Sequence, residues 1–534
     1  LLVVYLMVAI GFFGGSLGRC AELCRVARPS RHGPPAARRS TGAPRAHARL
    51  APAASRGQDG AVTLPERPRL APHVRPRRHL VDGDERFVLH DGREAVAQLG
   101  VREWVLLAQA DGTRDVEGLR LAALREGVRV ARSDLEAFLA ALARAGLVEE
   151  GAPRALELAR ADGPAPPAPE ARAPRVVRAL PGFRLACDGR GTCCRFYGTV
   201  LFSPIEVARA RALLPLVDDA GDRPDRAFLP ERGGAPTGGR AVSLVNGRCS
   251  YLEPEGACAL HRVGGPLAKP LGCRTFPAAL VDLGHELRVS VSYECACVEA
   301  SAGGREGAPL IPEGLTELEL DPSLGVASLP REVSLGAGRV ATCDEVGAWL
   351  DEWGAGAPSD LVELLWGAAD ALARGGLGAT PTPVAPRASE LAPWLEALAK
   401  RAEAKAESEL RYRATSDLVP LTLGFLAEGA RALVGAEPRA AGAPREAAER
   451  LYLEAMVFGR APLQEPGTLA LALRARAVRV LLSRALRGAA PPSSDRAFSA
   501  PLALVEAACR GHALASFVTE LGPEASAPAR GGRA

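Results

Sequence analysis

The stretch "ACDGRGTCCRFYG", residues 186–198, sets Cys193 and Cys194 side by side, with Cys187 six positions upstream. Neighbouring cysteines make strained disulfide partners for each other. They suit a point where several thiolates converge. Working outward, Cys249, Cys258, Cys273, Cys295 and Cys297 follow, so eight of the twelve cysteines fall between residues 187 and 297. Each sits in turn-like sequence: "CDGRGTCC", "NGRCSYLEPEGACALH", "PLGCRTFP" and "YECACVE". Glycine and proline beside them let the backbone fold tightly around a small centre.

Three accounts of this clustering stand open. Thiolates are soft ligands suited to zinc and to iron, including iron–sulfur clusters. Four satisfy a tetrahedral zinc, so eight could serve two ions, or one cluster with thiols to spare. An exported protein could instead form four disulfides, although Cys193-Cys194 and Cys295/Cys297 crowd that scheme. Buried structural thiols are the third account. The uneven distribution along the chain favours metal, with all eight as ligands. His261, three residues after Cys258, is a further candidate by spacing, and the sequence does not separate zinc from iron.

The rest of the 534 residues frames this centre. A chain of this length needs about three domains, and a hydrophobic content of 47% is enough to fill their cores. A net charge of +4 without a clustered basic motif argues against a nucleic-acid partner. The opening "LLVVYLMVAIGFFGG" is shorter than the roughly 20 residues of a membrane span, and an Arg/Ala/Pro-rich stretch follows it. A cytoplasmic protein whose folded part begins near Val62 is expected. A membrane anchor or an exported form is the alternative, and membrane contact depends on that apolar run.

"RFVLHDGREAVAQL", residues 86–99, predicts a hairpin turning at Asp91-Gly92. "VREWVLLAQADG" and "TRDVEGLRLAALREG" predict two helices, the second capped near Thr113 or Asp115. "SDLEAFLAALARAGLVEE" predicts a third helix, capped by Ser133 with Glu136 three on, its apolar face being Leu135, Phe138, Leu139 and Leu142. Gly146 ends it, and a strand begins at Leu147-Val148. This order resembles the PqqD-like winged-helix domains, which implies a unit that binds a peptide along an exposed strand. "ADGPAPPAPEARAPR", residues 161–175, is a Pro/Ala linker. Ala/Leu-rich helical segments without a fixed repeat run from about 340 to 520.

The expected fold class is α+β and multidomain: a winged-helix-like domain, a loop-rich metal-binding cysteine-cluster domain and a helical C-terminal domain. The leader and linker span residues 1–61, which could be absent from the mature protein. The winged-helix domain spans 62–155, a linker 156–179, the cysteine-cluster domain 180–300 and the helical domain 301–534.

"CDGRGTCC", "CSYLEPEGACALH" and "CRTFP" together resemble the YkgJ-type cysteine-cluster family, described as zinc- or iron-chelating. The resemblance implies Cys187, Cys193, Cys194, Cys249, Cys258 and Cys273 as ligands, with Cys295 or Cys297 completing the shell. Arg190 stands where that family often has a further cysteine. A narrower resemblance, carried by "CCRFYGTVLFS", Cys297-Val298-Glu299, "RLYLEAMVFGRAPL" and "ACRGHALASFV", is to the flagellin lysine-N-methylases. It implies one enzyme-like unit over 183–520, with S-adenosylmethionine as cofactor and a protein lysine as substrate. A scaffold that is stapled by metal and binds a peptide through its winged helix is a third expectation.

Other features carry less chemistry. Ser203, Pro204 and Glu206 predict a capped helix start beside the cysteine pair. Arg274 is expected in a salt bridge, His285 in an exposed hairpin turn, His512 on a helix face, and Cys343 and Cys509 as buried small residues. Cys20 and Cys24 form a single pair without a second. No G-x-G-x-x-G fingerprint, P-loop, H-E-x-x-H or C-x-x-x-C-x-x-C motif occurs.

Overall fold

The computed structural model describes residues 49–50 and 64–510, except 82–83, 91–94, 152–174, 190, 197–199, 215–227, 229–239, 319–325, 356–359, 379–380, 413–417 and 490–498. The leader with Cys20 and Cys24, the Asp91-Gly92 turn, nearly all of the Pro/Ala linker, Arg190 and His512 therefore lie outside the described residues. The protein is α+β, with fifteen α-helices and several small sheets among the described residues. Among the described residues, no helix is long and apolar enough to cross a membrane.

Alternation of apolar residues builds the N-terminal meander of Arg75–Val81, Asp84–His90 and Ala95–Leu99. Phe87, Leu89, Ala97 and Leu99 turn inward. Phe87 stacks on Trp104 of the following helix with ring centroids 4.7 Å apart. Helices Val116–Arg125 and Arg132–Arg144 complete this core with Leu119, Leu135, Leu139 and Leu142. Asp115 caps the former by accepting the Gly118 amide at 2.7 Å. The cap expected at Ser133 does not form: the helix starts two residues earlier than that cap implies, with Ala131 at the N-cap and no side-chain cap. Arg132 takes Glu136 into an ion pair at 2.8 Å, which removes the carboxylate from the capping box. Strand Val148–Glu150 then closes back on Pro68–Leu70.

The sheet does not end with this unit. Strand Leu244–Val245 pairs in parallel with Arg75–Val81, placing Leu244 opposite His79 and Val245 opposite Leu80. It turns at Asn246-Gly247, both at positive φ, into Arg248–Cys249. Asn-Gly suits such a two-residue turn because both positions need the left-handed region. On the far side, Arg49–Leu50 pairs with Ala95–Leu99. Segments of this same chain therefore cover both edges of the meander, along one of which the winged-helix resemblance implies peptide binding.

A second, five-stranded sheet runs in the order Glu317–Leu318, Arg175–Ala179, Glu286–Val291, Ala278–Asp282, Val326–Ser328. It takes strands from stretches that the sequence assigns to the linker, the cysteine domain and the helical domain, so the boundaries at 179/180 and 300/301 do not separate structural units. Arg175–Ala179 stands beside Pro/Ala-rich sequence and is fixed by remote partners, Val177 opposite Leu287. The hairpin turn expected near His285 is present, with Asp282 accepting the Gly284 amide at 2.8 Å. His285 is exposed.

The C-terminal helices surround Leu469–Ala489 and share one core with Val291, Tyr293, Cys295, Cys297 and Val298. Four arginines of this helix are buried and paired: Arg474 with Asp370, Arg476 with Glu465, Arg479 with Glu465 and Glu506, and Arg484 with Asp360 and Glu449. Truncating one member of such a buried pair strands the other charge, at a cost of about 3–5 kcal/mol. These pairs dictate how the surrounding helices meet.

Candidate metal centre

Cys193 and Cys194 lie on a short helix, Thr192–Phe196, at the middle of the constellation. The loop leading into it presses against the 252–258 turn at Gly191. A Cβ there would fall on the Gly256 carbonyl oxygen and within 2.5 Å of Leu252 Cδ1, and Gly191 has φ +67°. Only glycine meets both demands. That close approach brings Cys258 alongside, where the bridge Leu252↔Cys258 holds it at the N-cap of helix Ala259–Gly264. Cys249 stands at the end of the Asn-Gly hairpin.

Cys273 sits in helix Leu271–Thr275. Glu206 fastens this helix to the one after the cysteine pair. Its carboxylate accepts the Ser203 amide at 2.9 Å and the Leu271 amide at 2.6 Å, and lies 3.9 Å from Arg274. The capping box expected at Ser203 is complete, with Pro204 in the first turn. Arg274 makes the salt bridge expected of it. With Arg209, Leu213, Gly264, Leu267 and Ala268 it also lines an open hollow of about 440 Å³.

Cys187, Cys295 and Cys297 approach from the other side. Strand Arg184–Leu185 pairs with Ala308–Pro309 and delivers the chain to Cys187. Ser301 ties that loop to the helix Ala296–Ala300. Its hydroxyl accepts the Ala186 amide at 3.0 Å and donates to the Cys297 carbonyl at 2.7 Å. The Cys297 thiol donates to Asp188 Oδ1 at 3.4 Å, and the ligand atoms of Cys187, Asp188 and Cys297 lie within 4.8 Å of one another. Asp188 and Ser301 are additions to the set expected from sequence. Asp188 is flagged there only by following Cys187 in a glycine turn.

The thiols interact electrostatically: Cys187 with Cys297, Cys297 with Cys295, and Cys193 with Cys194. Cys193 is also within electrostatic reach of Cys187, Cys249, Cys273 and Cys295. Cys249, Cys258 and Cys273 feel one another. Of the eight cysteines expected as ligands, Cys187 and Cys297 bring their sulfur atoms together, with Asp188, within 4.8 Å, and the other six stand on neighbouring segments. His261 does not join them and is exposed. Cys509 is fully buried beside Arg479 and Glu506, and Cys343 is half-buried next to Asp344 and Arg460. All ten described cysteines are unbridged.

Electrostatics oppose ionisation of this group as a whole. Burial pushes the thiols of Cys249 and Cys273 up to about 12. Hydrogen bonding to Cys193, with burial, pushes Cys194 up, while the bond from Cys194 pulls Cys193 down. The bond from Cys297 likewise lowers Cys295. A cation would replace the protons and let the thiolates coexist. The cation within reach of Cys193 and Cys273 is Lys269.

Gly191→Ala tests whether this geometry serves metal. The left-handed φ alone costs about 1–2 kcal/mol for an L side chain, which corresponds to a fall in affinity of about tenfold, and the clash with Gly256 adds to it. The expected result is reduced metal per chain with unchanged helical circular dichroism, read by elemental analysis. Full metal content would show that the close approach does not matter.

Comparison of the chain with protein families, with curated proteins and with solved structures finds no match to any of them.

Proposed function

We propose that this chain is a metal-binding protein that holds zinc or iron, the latter in thiolate or iron–sulfur form, through Cys187, Cys193, Cys194, Cys249, Cys258, Cys273, Cys295 and Cys297. One observation carries the reading: Cys187, Asp188 and Cys297 set their ligand atoms within 4.8 Å of one another, and six further unbridged thiols, five of them partly buried and Cys295 fully so, interact electrostatically with one another or with these two. Soft, convergent sulfur donors suit these metals. Bound metal joins segments that have little core of their own and so contributes to folding directly. The full chain, purified without oxygen, should contain zinc or iron in at least stoichiometric amount, with acid-labile sulfide if the metal is an iron–sulfur cluster. Metal-free protein that is folded and has all its thiols titratable would overturn the reading.

A second reading, a protein lysine methylase using S-adenosylmethionine, is favoured by a separate observation. The cysteine-bearing helix and the C-terminal helices form one body, not two domains. Glu299, two residues after Cys297, pairs with Arg445 and accepts the Ala503 amide at 2.9 Å. Tyr293 donates to the Ala448 carbonyl and Ser290 to the Ala455 carbonyl. A metal centre set against such a body can act on a substrate as well as staple loops. Calorimetry at high concentration of the metal-loaded chain should then show saturable binding of S-adenosylmethionine; no heat of binding would remove the reading.

A further inference from the structure

The three donors that meet within 4.8 Å are not three thiols. Beside Cys187 and Cys297 stands the carboxylate of Asp188. A tetrahedral ion with bonds of about 2.0–2.3 Å holds its ligands roughly 3.5–3.8 Å apart, and the three atoms already stand near that spacing. Two of them also share a proton, the Cys297 thiol donating to Asp188 Oδ1 at 3.4 Å. Metal binding displaces that proton and leaves both groups anionic. The backbone brings the donors together without help from an ion. Ser301 accepts the Ala186 amide and donates to the Cys297 carbonyl, which pins the residue before Cys187 to the helix that bears Cys297. Gly307, at φ +110°, is a second clamp. A Cβ there would fall 2.3 Å from the Leu185 carbonyl oxygen, so strand Ala308–Pro309 closes on Arg184–Leu185 only with glycine at that point.

Burial is graded across the group: Cys297 is buried, Asp188 half-buried and Cys187 exposed. The centre therefore has a closed back, against the core of the C-terminal helices, and a mouth at Cys187. Among the described residues, no fourth histidine, cysteine or carboxylate comes within 4.8 Å of all three. Cys295, two residues before Cys297, is buried in that core. Closed structural sites use four protein ligands, whereas three leave one coordination position for water or a substrate. From this geometry we propose that Cys187, Asp188 and Cys297 bind one zinc or iron(II) ion whose fourth ligand comes from solvent and exchanges for a small anion. The proposal rests on the metal-binding reading above and adds to it Asp188 as a ligand and an accessible coordination position. Such an ion is a Lewis acid that polarises a group bound to it, a capacity that a closed staple lacks.

Cobalt(II) and azide are the probes. Cobalt reports thiolate ligation by intense absorption, and azide is a small anion that enters an exchangeable position. The chelator-stripped full chain, loaded anaerobically with cobalt, should show thiolate–cobalt absorption that shifts saturably as azide is added. Asp188→Ala and Cys187→Ser should each lose the azide-dependent shift with unchanged circular dichroism. Cys187 is exposed, so its variant removes a ligand without opening a core. Cobalt absorption that azide leaves unaltered, or an azide shift that survives in either folded variant, would overturn the open three-ligand site while keeping metal binding. Absence of thiolate–cobalt absorption in the parent chain is a different result and would overturn both.

Discussion

Thiols that are packed together and shielded from water cannot all ionise: each thiolate raises the cost of the next. That constraint governs the middle of this protein. Of its eight cysteines, Cys295 and Cys297 are buried, five are partly buried and Cys187 is exposed. The arrangement holds as a set of shared protons or as a metal-bound set of thiolates. The Cys297 thiol, for example, donates its proton to Asp188. A soft divalent ion bound there would replace such protons with its own positive charge and so couple its binding to local folding.

The surrounding structure serves to aim loops at that point. Three residues carry much of the aiming, and none of them is a cysteine. Glu206 locks two short helices together through the Ser203 and Leu271 amides. Ser301 binds the Cys187 loop to the helix that bears Cys297. Gly191 lets two backbones meet where any side chain would hold them apart. Farther out, the Asn246-Gly247 hairpin borrows rigidity from the N-terminal sheet, and the arginine pairs of helix Leu469–Ala489 steady the wall behind Cys295 and Cys297. The cysteine segment is therefore held by neighbouring parts of the chain as well as by its own small core around Phe202, Phe228 and Tyr251.

What the sequence reveals here follows the range of the interaction. The capping box at Ser203, the cap at Asp115 and the hairpin around His285 were legible because every participant lies within a few residues. The clustering of the cysteines was legible in their density, eight of twelve between residues 187 and 297, and the pair that meets within 4.8 Å, Cys187 and Cys297, is drawn from it. The parallel pairing of Leu244–Val245 with Arg75–Val81 was not, because it joins residues some 165 apart (244 − 79) through backbone groups that any sequence supplies. The strand Arg175–Ala179 was lost in its Pro/Ala surroundings. The buried arginines were not legible either, since nothing local to Arg474, Arg476, Arg479 and Arg484 points to acidic partners that come from four other segments. Asp188 and Ser301 are ordinary residues whose roles exist only in three dimensions.

The most direct test of a convergent thiolate centre is the X-ray absorption spectrum of the metal carried by the full chain, purified without oxygen. The account predicts a first shell with sulfur at about 2.3 Å, no nitrogen and at most two oxygen neighbours, one of them from Asp188. A shell dominated by nitrogen or oxygen at about 2.0–2.1 Å would place the metal elsewhere on the protein and contradict it.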